Sequence, residues 1–183
     1  MAGLIRFALI FGVGAAALAG STVTAHAEGG VPLSAAPAEE TIVQLKVTHS
    51  GKCLDIPQAR TENGVHAWQW ECNGSAAQRW RVVPMDNSSF QLRLVASDKC
   101  LEVENSGRQE GAVVQQWACT NGQQMRWRAV LVDPVRKLFE LRPAHVEDRC
   151  LDIANSMTEN GAPAWQWACN QTNTQLWQIL EVK

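Results

Sequence analysis

The chain has 183 residues, with 16 Lys and Arg against 18 Asp and Glu, six Cys, and a formal charge of −2. It contains no run of basic residues, which argues against nucleic acid or anionic membrane as partners, since both select clustered Lys and Arg. The length allows one domain with a sizeable core.

The N-terminus reads as a targeting segment. Arg6 is the sole charged residue before Glu28, an apolar run extends from Phe7 to Ala19, and Ala25-His26-Ala27 has the small-x-small form of a cleavage site. The run is short for a membrane span and lacks a stop-transfer flank; an uncleaved anchor is the lesser reading. Residues 1–27 are therefore expected to be a secretory signal peptide, which makes the mature protein extracellular. Removal of Arg6 leaves 15 basic against 18 acidic residues, a charge of −3. Residues 28–40, rich in Gly, Ala, Pro and Glu, read as a flexible lead-in.

From residue 41 the chain repeats itself three times. Alternating segments, Ile42 to Val47, Phe90 to Val95 and Leu138 to Arg142, read as strands with one buried face. Each precedes a Cys-Leu-acid-aliphatic segment: Cys53 to Ile56, Cys100 to Val103, and Cys150 to Ile153. A third strand is expected to lead to Trp70, Trp117 or Trp167, and a fourth to surround Trp80, Trp127 or Trp177. Turn signals such as Ser50-Gly51, Asn63-Gly64, Asn121-Gly122 and Asn160-Gly161 separate them. Four strands in each of three copies predict twelve short strands, and a closed pseudo-threefold all-β domain suits that number because closure removes exposed edges.

The cysteines keep the register. The two of each copy lie 19 residues apart, and the last Trp follows the second by 8. An exported chain meets an oxidising compartment, and the repeat selects Cys53–Cys72, Cys100–Cys119 and Cys150–Cys169 from the 15 pairings that six cysteines permit. Other regular pairings would link different copies. Zinc is a weak competitor, because no Cys-x-x-Cys or paired His at ligand spacing occurs; no metal or other cofactor is expected.

The triple pattern Cys-Leu-Asp, Trp-x-Cys, Gln-x-Trp resembles the ricin B-type lectin domain over residues 41–183. The resemblance implies a β-trefoil, a six-stranded barrel capped by three hairpins, and a carbohydrate-binding function. It is specific for fold and much less so for ligand: galactose-, xylan- and arabinose-type glycans are all compatible.

Each copy carries residue types suited to a neutral sugar. An indole face receives the C–H groups of a pyranose. A carboxylate accepts hydrogen bonds from two adjacent hydroxyls, and amides tell hydroxyl geometries apart. The candidates are Asp55, Trp68, Gln69 and Trp70 in copy one; Glu102, Gln115 and Trp117 in copy two; and Asp152, Trp165, Gln166 and Trp167 in copy three. By resemblance, Asp55 and Asp152 bind hydroxyls while Trp70 and Trp167 form platforms. The alternatives are a hairpin hydrogen bond for the acids and packing on the disulfide for the rings. Trp80, Trp127 and Trp177 end the Gln-x-Trp motif and are expected in the core with Leu54, Ile56, Leu101 and Leu151.

Some positions depart from the family pattern. Glu102 is a methylene longer than Asp, which points to repeats one and three as the better sites. Trp68 and Trp165 stand where a Gln is common, and Gln115 alone matches it. Ala77, Gln124 and Thr174 stand where Asn is common. Gln69 and Gln166 are candidate replacements for that amide, although strand alternation would point them opposite to Trp70 and Trp167. The pairs Trp68–Trp70 and Trp165–Trp167 either hold two consecutive sugars or leave one ring sealing the barrel end. Met125 replaces the motif Gln in copy two, suggesting local repacking.

No catalytic set is evident. His49, His66 and His145 are scattered, no cysteine is left over, and the acids Asp55 and Glu71 read as lectin-site acids rather than a glycosidase pair. The expectation is a non-catalytic carbohydrate-binding protein, with a trefoil subunit that binds a protein partner as the alternative.

Overall fold

The computed structural model of the protein describes residues 41–182. The signal peptide and lead-in read from residues 1–40 lie outside the described residues.

Copy one holds β1 (Ile42–Val47), β2 (Cys53–Asp55), β3 (Val65–His66), β4 (Trp68–Trp70) and β5 (Trp80–Pro84). Copy two holds β6 (Phe90–Leu94), β7 (Cys100–Val103), β8 (Ala112–Trp117) and β9 (Trp127–Asp133). Copy three holds β10 (Leu138–Pro143), β11 (Arg149–Ile153), β12 (Ala164–Ala168) and β13 (Trp177–Glu181). The thirteenth strand arises because the third strand of copy one breaks at Ala67. There the backbone changes partners: Ala67 N donates to Val114 O of copy two, and Ala67 O accepts from Ala164 N of copy three, both at 2.9 Å.

Antiparallel pairing runs β1–β5–β6–β9–β10–β13 and back to β1, a closed six-stranded barrel. Hairpins β2–β4, β7–β8 and β11–β12 cap one end. The fold is the expected β-trefoil. Closure leaves the barrel no free strand edge.

The three expected disulfides are formed, Cys53–Cys72, Cys100–Cys119 and Cys150–Cys169, with Cα separations of 5.1, 5.0 and 5.1 Å. Each ties the start of a hairpin to its end and closes a short loop, worth about 3 kcal/mol by the chain-entropy model. Trp80, Trp127 and Trp177 are fully buried. Their indole N–H groups donate to Leu54 O, Leu101 O and Leu151 O at 3.4, 2.9 and 3.0 Å. A ring that fills the core thus also satisfies a hairpin carbonyl, which is why Trp serves there without leaving a buried donor unpaired.

The copies interlock through the middle residue of the third strand. Gln69 Nε2 donates to Met157 O and Glu159 O, Gln116 Nε2 to Arg60 O and Glu62 O, and Gln166 Nε2 to Gly107 O and Gln109 O. Copy one therefore holds a loop of copy three, copy two a loop of copy one, and copy three a loop of copy two.

Candidate functional site

Three equivalent clefts open beside the hairpins, with volumes of about 460, 260 and 200 Å³ in copies one, two and three. Asp55, Trp68, Trp70 and Ala77 line the first; Glu102, Gln115, Trp117 and Gln124 the second; Asp152, Trp165, Trp167 and Thr174 the third. The acids and rings picked from the sequence thus converge in each copy. The positions at which Asn is absent face the same clefts.

Strand geometry explains the convergence. Asp55 pairs with Trp68 across the hairpin, Glu102 with Gln115, and Asp152 with Trp165. Period-2 alternation then puts the residue two further on, Trp70, Trp117 or Trp167, on the same face. Trp70 is 36% exposed and Trp117 41%, an unusual state for so large an apolar ring and one that leaves a face open to a ligand.

In copy one the Trp68 indole N–H donates to Asp55 Oδ1 at 2.8 Å. Burial pushes the Asp55 carboxyl above its ordinary pKa, with Trp68 and Gln78 pulling it back. In copy two Gln115 Nε2 donates to Glu102 Oε1 at 2.9 Å. Glu102 is likewise raised by burial, opposed by Gln115 and Gln124, with a further small rise from Glu104. In copy three Gln175 Nε2 donates to Asp152 Oδ2 at 2.7 Å. Asp152 is raised by burial against the pull of Gln175 and Thr174. Each site therefore presents a half-desolvated carboxylate already held by a neutral donor beside an indole. Desolvation strengthens whatever further hydrogen bonds it accepts.

The paired rings do not form two platforms. Trp68 and Trp70 stack on each other with centroids 5.1 Å apart and an interplanar angle of 27°; Trp165 and Trp167 do so at 4.9 Å and 27°. The facing sides are mutually covered, so two consecutive sugars cannot lie one on each inner face. Each inner ring instead packs near a turn of another copy. Gly161, held at φ +87°, has a Trp68 ring carbon 3.5 Å from where a Cβ would stand, and Gly111, at φ +78°, has a Trp165 ring carbon at 3.8 Å. Glycine suits these turns because their backbone is left-handed.

Contrary to the expectation from residue type, Gln69 and Gln166 do not line the clefts. Both are fully buried and face away from the clefts, with their amides engaged on the loop carbonyls described above. Alternation along the strand puts them opposite the indoles, where they hold the copies together.

Other cleft residues were not anticipated. Gln58, Asn105 and Asn155 form the lips, each at the same repeat position and with φ of 55°, 52° and 53°. The next residues, Ala59, Ser106 and Ser156, are also left-handed. Two consecutive non-glycine residues in this region store roughly 1–2 kcal/mol each, and such strain collects at functional sites. Asn73 and Asn170 complete the walls of clefts one and three. Their repeat position was the available signal. Met125 Sδ takes the part of the motif Gln: it accepts from Thr120 N at 3.2 Å, where Gln78 Oε1 accepts from Asn73 N at 2.8 Å and Gln175 Oε1 from Asn170 N at 2.9 Å.

Known proteins share this design. The family described as "Ricin-type beta-trefoil lectin domain-like" matches residues 33–117 and 87–163. Among solved structures, the designed threefold-symmetric protein ThreeFoil is 30% identical, with a TM-score of 0.73 over 77% of this chain and 99% of its own. The exo-β-1,3-galactanase 1,3Gal43A from Clostridium thermocellum is 25% identical, with a TM-score of 0.74 over 80% of this chain and 31% of its own. The Rhizoctonia solani agglutinin shares the fold at 20% identity, with a TM-score of 0.71 over 79% of this chain and 97% of its own. The family match spans more than half of the sequence, and the chain belongs to the ricin-type beta-trefoil lectin domain-like family.

Proposed function

We propose that the protein is a secreted, non-catalytic saccharide-binding protein whose three clefts engage neighbouring parts of one polysaccharide or clustered glycan. The observation that carries this reading is the recurrence, three times over, of a desolvated carboxylate beside an indole, with exposed Trp70 and Trp117 as the most open rings. The acid accepts hydroxyl protons while the ring packs on the C–H face of the sugar. Extracellular placement draws support from the leader pattern of residues 1–27 and from the three bridged cysteine pairs. The galactanase neighbour, of which this chain spans about a third, favours galactose-type polymers as the first ligands to try.

Copy one has the widest cleft and is expected to bind best. Shallow polar sites bind weakly one at a time, because little remains after lost freedom and desolvation are subtracted; joint engagement of several sites supplies the affinity. Polymers should therefore outcompete monosaccharides. A glycan array on the oxidised protein, followed by calorimetry, tests the reading. Replacing both Asp55 and Asp152 with Ala should remove most binding while the fold survives. A panel with no binder, or binding untouched in that double variant, overturns it.

A further inference from the structure

Copy one has a second cleft. It has a volume of about 370 Å³ and lies on the other side of Trp68, with Arg60, Val65, His66, Gly161 and Pro163 on its walls. Trp68 lines both this cleft and the one holding Asp55 and Trp70. The two are adjoining compartments with one indole between them.

Arg60 and His66 belong to copy one alone. At the position of Arg60 the other copies have Gly107 and Met157; at that of His66 they have Val113 and Pro163. The backbone that presents Arg60 is held from both sides. Arg60 N donates to Pro57 O at 3.0 Å, and Arg60 O accepts from Gln116 Nε2 at 2.8 Å. Its guanidinium, by contrast, is loosely engaged, with Glu62 Oε2 at 3.4 Å and both side chains more than half exposed. An exposed pair of this kind is worth little, so an incoming carboxylate displaces it cheaply. His66 is fixed in β3 opposite Gln115 and is itself exposed.

We infer that copy one binds an acidic oligosaccharide, with a neutral sugar on Trp70 and Asp55 and the adjoining uronic-acid residue beyond Trp68, its carboxylate on Arg60 and flanked by His66. This rests on the saccharide-binding reading above and names the ligand class of its best site. The planar guanidinium fork matches a carboxylate in a way that a neutral hydroxymethyl group does not. Pro163, Val65 and the outer side of Trp68 supply apolar surface for the ring of the acidic sugar.

The test uses short oligosaccharides bearing glucuronic or galacturonic acid, each beside its carboxyl-reduced neutral alcohol, titrated calorimetrically against the mature oxidised chain. Acid forms should bind about fivefold more tightly than their reduced partners at low salt, the upper range for a solvent-screened ion pair. The preference should shrink as salt rises. Arg60→Ala should abolish it, while Arg60→Lys should restore part of it. Equal binding of both forms by the unaltered chain, or a preference that survives Arg60→Ala combined with His66→Ala, overturns this inference alone. Absence of binding to either form likewise overturns this inference, while the saccharide reading stands or falls by the wider glycan panel.

Discussion

Trp68 donates its indole proton to Asp55 Oδ1 at 2.8 Å, whereas Trp165, the matching ring of copy three, keeps its Nε1 buried without a hydrogen bond. Asp152 takes Gln175 Nε2 instead, at 2.7 Å. The same Trp-acid pairing in two copies has thus produced two electrostatic arrangements: Gln175 Nε2 reaches the acid as well as Ala168 O, whereas its copy-one counterpart Gln78 Nε2 donates to Glu71 O at 2.8 Å.

Trp68→Phe keeps an aromatic ring against Trp70 but removes the donor. Affinity at copy one should fall about tenfold to a hundredfold, the worth of one hydrogen bond to a charged acceptor. Trp165→Phe should leave copy three nearly unchanged and remove a buried unpaired donor, so the fold is held or slightly stabilised. Calorimetric titration and thermal melts of the two variants side by side check the contrast.

The pH dependence of binding and stability should run in opposite directions. Burial raises the native pKa of Asp55, Glu102 and Asp152. The folded state then holds those protons more firmly than the unfolded chain, so stability from these groups is present at low pH. It is lost as pH rises from the ordinary carboxylate range through the raised native values. Sugar binding needs the ionised acids and should grow over the same interval. Asp55→Asn should flatten part of both curves, as read by melts and titrations across pH 3 to about 7.

Gln69→Leu should destabilise the protein without touching the clefts. It leaves Glu159 O without its Gln69 donor and the Ser50 hydroxyl without its acceptor, while Met157 O keeps His49 Nε2 at 2.8 Å, at about 1–3 kcal/mol for each group that stays buried and unpaired. Chemical denaturation gives the stability loss. Saccharide affinity per folded molecule should stay constant, and a drop in affinity would place Gln69 in the binding surface after all.

Met125→Gln should stabilise copy two. The sulfur is a weak acceptor for Thr120 N, and the amide oxygen that occupies this place in the other copies is a better one. A gain of about 0.5–1.5 kcal/mol is expected from the restored hydrogen bond. An unchanged or lowered melting temperature would mean that the pocket around Met125 is shaped for the thioether.

Much of this protein was legible along the chain, because its repeat restates the same local instructions. The cysteine spacing places the bridges, and alternation locates the strands. The Gln-x-Trp ends mark the three core indoles, and the acids two positions past the first cysteine do line clefts. Gln69 and Gln166 show the limit. Their residue type suits a sugar site, yet strand alternation turns them inward. Where their amides end is decided by loops about 60 to 90 residues away along the chain.

The sequence alone determined the threefold architecture, the disulfide pairing and the buried indoles, since each depends on periodicity within one copy. Only the tertiary structure decided that Trp68 stacks beneath Trp70 while holding Asp55, that each glutamine clasps a different copy, and that a second cleft with Arg60 and His66 opens beside the first. Those relationships arise where hairpins from different copies meet around the barrel axis. Ring closure sets such contacts, and no spacing within a single repeat encodes them.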